Sequence, residues 1–171
     1  MAGAGLFLWI PTHNGEKERM LGRLMETFRE LGVETFGLDI TSDGAFGELE
    51  KIDRYFLSLP PDRKRFVFSL DGDGFCLTLR MDGLWVDNVQ YNVFTYLTGH
   101  PREFQRELAG INSWYISILN SREEGVDFIQ EQYPHLDGIE YMEWPGGVGS
   151  GRDGAKEEFA VFARKILDRC K

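Results

Sequence analysis

Leu6-Phe-Leu-Trp-Ile10 is an unbroken apolar run ended by Pro-Thr-His-Asn-Gly, the pattern of a strand buried on both faces and followed by a loop. Leu21, Leu24, Met25, Phe28 and Leu31 then keep a helical stripe with charges between them, and Gly32 offers the left-handed conformation that stops a helix. Val33 to Ile40 reads as a second strand. Phe46, Leu49, Ile52, Phe56 and Leu59 repeat the helical stripe until Pro60-Pro61 forbids its continuation, and Arg65-Phe-Val-Phe-Ser69 opens a third apolar strand. Strands that alternate with amphipathic helices predict a parallel sheet, right-handed crossovers and helices packed on its faces.

Beyond Ser69 the pattern is less regular. After the Asp71-Gly-Asp-Gly74 turn, Phe75 to Met81 fits either a short buried helix or a hairpin strand, because a short apolar run has no diagnostic period. Leu84 to Phe94 reads as a strand, Pro101 to Leu108 has helical spacing, and Trp114 to Leu119 is again strand-like. Val126, Ile129 and Tyr133 mark a helix ending at Pro134, and Ile139 to Trp144 is the last predicted strand. A Gly-rich loop over residues 146–154 leads to a closing helix that carries Phe159, Phe162, Ile166 and Cys170. This order predicts a three-layer α/β/α architecture with a mainly parallel sheet. With no repeat and no separating linker, a single domain over residues 1–171 is expected.

Composition adds exclusions. At 171 residues, 42% of them hydrophobic, the chain is long enough to close one sizeable core. The 28 acidic against 19 basic residues give a net charge of −9, which repels a phosphate backbone and argues against a nucleic-acid partner; the same acidity suits a basic protein partner. Cys76 and Cys170 are too few for a disulfide framework or a metal knuckle, so no metal and no cofactor are expected, and a reducing, cytoplasmic setting fits best. Met1 to Ile10 lacks a basic start and is cut short by Pro11, making it a poor signal peptide and too short for a membrane span.

Element by element, the chain resembles a minimal α/β-hydrolase, the fold of many esterases and thioesterases. Thr12-His13-Asn14-Gly15 stands where that family has its oxyanion loop, whose backbone N–H groups meet a developing negative charge. Phe66-Val-Phe-Ser-Leu-Asp-Gly-Asp-Gly74 has the shape of the nucleophile elbow, with Asp71 at the nucleophile position and Asp73 where a small residue is usual. Relatives such as haloalkane dehalogenases and epoxide hydrolases use aspartate there to form an ester intermediate. Asn120-Ser-Arg-Glu-Glu-Gly-Val126 resembles the segment that supplies the family's acid, with Glu123 in its place. The resemblance requires a histidine after the last strand. That stretch reads Trp144-Pro-Gly-Gly-Val-Gly149, and Gly149 marks the vacant position. Without a base, triad hydrolysis has no route for its proton transfer.

The resemblance therefore implies a scaffold that has lost its usual reaction and binds an unidentified small molecule or protein partner. Trp85, Tyr91, Phe94 and Tyr96 are read either as lining for such a surface or as core. Two enzyme readings stand beside it. One keeps Asp71 as nucleophile and Glu123 as acid, acting on an ester, thioester or halide. The other rests on a similarity of Ile10-Pro-Thr-His-Asn14, Asp39 and Asp71-Gly-Asp73 to nucleotide-sugar glycosyltransferases of the GT-A type, in which Asp-x-Asp holds a divalent cation. Asp39 to Glu50 also matches much of a calcium-loop pattern, but the strand-like segment before it argues against that motif.

Overall fold

The computed structural model describes residues 3–79, 83–111, 115–148 and 154–170. The first half follows the predicted alternation: β1 (Gly3–Trp9), α1 (Glu16–Glu30), β2 (Val33–Asp39), α2 (Ala45–Ser58) and β3 (Lys64–Leu70). Gly32 closes α1 with a φ of 82°, a conformation in which a Cβ would be strained. At the start of β1 the strand reaches back to Gly3, and Gly5 is required there because a Cβ would stand 2.5 Å from the Phe66 ring.

The second half differs from the periodicity in one segment. Leu84 to Phe94 is not a continuous strand. A two-residue β4 (Thr78–Leu79) pairs antiparallel with β5 (Gly83–Leu84), a single helical turn α3 (Trp85–Asn88) follows, and only Asn92–Leu97 forms the next long strand, β6. The reason lies in burial: Trp85, Val86, Val89 and Tyr91 are all nearly inaccessible, so the segment is apolar whatever its backbone does. The choice left open over Phe75 to Met81 resolves into turns and then β4, with residues 80–82 outside the described part.

A 3₁₀ turn over Pro101–Phe104 runs into α4 (Gln105–Leu108), then come β7 (Ile116–Asn120), α5 (Glu123–Gln132), β8 (Gly138–Tyr141) and α6 (Lys156–Arg169). The last strand ends three residues short of Trp144. Six strands form one wholly parallel sheet in the order β2-β1-β3-β6-β7-β8.

Both faces of this sheet are covered, as a parallel sheet requires. Phe7, Phe66, Phe68, Phe94 and Tyr96 point to the face of α1 and α6. Their strand neighbours Leu6, Leu8, Val67 and Val93 point to the face of α2, α3, α4 and α5. This division gives the three α/β/α layers. It also settles the four aromatics considered as ligand lining: Tyr91, Phe94 and Tyr96 are at most 3% exposed and belong to the core, as does Trp85 at 5%. No helix among the described residues is long and apolar enough to cross a membrane.

Phe28 is the hinge of the α1 face, fully buried with its ring 4.9 Å from that of Phe66 and 5.6 Å from that of Phe7. Phe28→Ala is expected to lower the unfolding free energy by about 3–5 kcal/mol, read by urea denaturation, because the cavity lies among rings that cannot collapse into it.

Candidate functional site

The order β2-β1-β3 means that the chain leaves β1 toward one neighbour and later returns to its other side. Such a reversal separates the loops at the carboxyl ends of β1 and β3, which is where ligands bind in open α/β sheets. Three of the charged residues that follow these two strands meet there.

Asp71 begins the loop after β3 with a φ of 55°, the one positive φ of a non-glycine residue among those described. Its N–H donates to the Tyr96 carbonyl at 2.9 Å, so the turn is fastened to β6. Its carboxylate is fastened as well. Thr98, just past β6, donates its N–H to Oδ1 at 2.7 Å, and its hydroxyl lies 2.9 and 3.0 Å from the two oxygens. Beneath the loop, the Thr95 hydroxyl accepts from the Gly72 N–H at 2.8 Å and lies 3.2 Å from Ser69 Oγ, a buried polar contact that fixes the exit from β3.

Asp73, 6% exposed, reaches across to β1. Its Oδ2 accepts from the Ile10 N–H at 3.0 Å, and both its oxygens lie 3.0–3.1 Å from the Lys17 ammonium. Lys17 is in the first turn of α1 and stands 3.8 Å from Asp71 as well. Burial pushes both carboxyls up from their ordinary value. For Asp71 the Thr98 donors and Lys17 oppose that rise; for Asp73 the Ile10 N–H and Lys17 do, while the charge of Glu107 adds to it. Glu107 Oε2 is itself buried without a hydrogen-bond partner.

The loop proposed for the oxyanion is organised around the helix start. Glu18 accepts from the Thr12 N–H and hydroxyl, each at 2.9 Å, Asn14 Oδ1 accepts from the Glu16 N–H at 3.1 Å, and Gly15 takes a φ of 67° before α1. Thr12 therefore has its N–H engaged. His13 sits exposed in the turn. Among the described hydrogen bonds, the N–H groups of His13 and Asn14 are the ones this loop leaves open.

No histidine hydrogen-bonds Asp71. His100 Nδ1 accepts from the Arg102 N–H, and its ring meets Phe128 edge-on at 5.1 Å; His135 Nε2 lies 3.1 Å from the Ile111 carbonyl. Glu123 is exposed at the start of α5, beyond β7 and thus two strands from β3. Gly149 lies outside the described residues. The structure thus brings Asp71 together with Asp73, Lys17 and Thr98, and not with Glu123 or an imidazole.

Lys17 pairs with both carboxylates that the Asp-x-Asp reading assigns to a metal, 3.0 Å from Asp73 and 3.8 Å from Asp71, and no group of three or more His, Cys, Asp or Glu side chains gathers among the described residues. Lys17 and Thr98 escape a reading by motif because they are far from Asp71 in sequence. A signal existed nonetheless: in a parallel pair the first turn after β1 and the loop after β3 must be neighbours, and Lys17 is the lysine of that turn.

Lys17→Met leaves Asp73 buried without its cation. The expected loss of stability is about 1–3 kcal/mol at pH 7, less than for a fully buried pair because Lys17 is partly exposed. Since both carboxyls titrate above their unfolded values, the stabilisation they give as neutral groups is fully present below about pH 4 and is lost as pH rises through the folded values. The loss caused by Lys17→Met therefore shrinks toward pH 4, where urea denaturation at a series of pH values checks it.

Comparison with protein-family models finds no match for this chain, and comparisons with curated proteins and with solved structures find none either.

Proposed function

We propose that this chain is an α/β-hydrolase-like scaffold that does not perform triad chemistry and acts as a binding protein, with its ligand at the carboxyl edge of β1, β3 and β6. One observation carries the reading. The Asp71 carboxylate is held by both donors of Thr98 beside Lys17, and no imidazole is bonded to it. An aspartate used as a nucleophile must present an oxygen to substrate, and the ester it forms must then be hydrolysed by a water that gives up its proton. Proton transfer of that kind is worth about a hundredfold to ten-thousandfold, and the neighbouring carboxylate that could accept the proton, Asp73, is engaged by the Ile10 N–H and Lys17.

The positive φ of Asp71 favours the second reading, an aspartate hydrolase, because a sharp strained turn at the strand end is how the nucleophile elbow exposes its side chain. The two separate in one assay. Against p-nitrophenyl esters, an acyl thioester and a haloalkane, the expected rate is that of buffer alone, both for the native chain and for Asp71→Asn. Turnover in the native chain that Asp71→Asn removes would establish the hydrolase and overturn the binding reading.

A further inference from the structure

At the other end of the sheet, β8 is an edge strand: it pairs with β7 on one side and with no described strand on the other. The Met142 N–H donates to the Asn120 carbonyl at 2.9 Å, so strand alternation turns the N–H and C=O of Tyr141 away from β7, toward the open edge. Beside that edge, on the α6 face, lies an open groove of about 310 Å³. Met142, Trp144 and Phe162 form its base, and Glu157, Val161 and Lys165 line it from successive turns of α6. A second cavity of about 350 Å³ continues it over the strand end, sharing Glu143, Trp144 and Glu158 and adding Ser121.

The charge around this edge is one-sided. Glu143, Glu157 and Glu158 stand on the α6 side. Glu123 and Glu124 occupy the first turn of α5, and the charge of Glu123 reaches Tyr141. Against these five carboxylates stand Lys165 and Arg122, the latter 3.9 Å from Glu124, while Arg169 is paired with Glu140 of β8 itself. Val161, 49% exposed, and Tyr141, 41% exposed, add apolar surface on the two sides of the strand. An open strand edge with acidic, partly apolar ground on both faces matches an extended segment whose alternate side chains are basic and apolar.

We infer that the open edge of β8 and the groove beside it take a basic, extended peptide segment of a partner protein, paired along the strand at Tyr141. This surface is separate from the Asp71 cluster, so its failure leaves the reading of that cluster untouched. The charge decides the occupant. A second copy of a chain with net charge −9 would bring its own carboxylates to this acidic edge, whereas a basic segment is drawn to it.

The test uses a fluorescein-labelled peptide alternating Lys and Val, read by anisotropy with the whole chain. Binding that weakens with salt is expected, together with a loss of about fivefold to tenfold when the peptide is N-methylated at alternate positions or the protein carries Tyr141→Pro, each of which removes ladder hydrogen bonds. Glu157→Lys, on an exposed helix position that leaves the fold intact, is expected to weaken binding by roughly threefold or more. Absence of binding, or equal binding of the N-methylated peptide and by Glu157→Lys, overturns the inference. Sedimentation showing a dimer of the native chain that Tyr141→Pro dissolves assigns the edge to a second copy and overturns it too.

Discussion

The structure depends on β1 being paired on both sides. With β2 along one edge and β3 along the other, its backbone has no access to water, and its side chains must be apolar on both faces. The strand order sends α1 and α2 to opposite faces of the sheet, since the right-handed connections from β1 to β2 and from β2 to β3 run in opposite directions and cover opposite sides. It also separates the loops at the carboxyl end. The crossing of Asp73 onto the Ile10 N–H and Lys17 bridges that separation, joining the two strands just where the sheet stops joining them.

This bridge has one ammonium for two poorly hydrated carboxylates, so hydrogen bonds must supply what the cation leaves. Lys17 serves both, and Thr98 supplies Asp71 with the hydrogen bonds that water would otherwise give. The loop has little freedom to rearrange. Gly72 has a φ of 72°, and a Cβ there would approach Glu107 Cβ to 2.7 Å, while Thr95 holds its N–H from below. The cluster is therefore a built feature of the fold that couples β1, β3 and β6, and any ligand that engages Lys17 or Asp71 competes with bonds the protein already makes.

How far the sequence is legible follows from where burial is one-sided. Amphipathic helices such as α1 and α2 announce themselves because one face meets solvent, and β1 and β3 do so as short apolar runs bounded by turns and prolines. Residues 84–94 mislead because Trp85, Val86, Val89 and Tyr91 are all buried, and complete burial erases the period that separates a helical turn from a strand. At the site, Asp71 is visible as the end of a strand pattern. Lys17 and Thr98 are not, since their roles arise only when parallel pairing sets three strand ends side by side.

Trp144 to Val148, which lead toward the position where the hydrolase resemblance requires its histidine, are engaged in packing. Trp144 is 5% exposed, with its ring 5.1 Å from that of Tyr96 and 5.2 Å from that of Phe162. The Gly147 N–H turns back to the Trp144 carbonyl at 2.8 Å, through Gly146 and Gly147, both at positive φ. Glu158 of α6 accepts the Gly146 N–H from the other side. Met142 to Val148 thus close the α6 side of the core with an indole, under a turn whose conformation favours glycine. Between β8 and Asp71 lie β7 and β6, whose strand ends carry Asn120, bonded to the Leu97 and Gly99 carbonyls, and Thr98, bonded to Asp71 itself. Asp71 is thus fastened from the β6 side, and its carboxylate meets a ligand only in competition with the N–H and hydroxyl of Thr98.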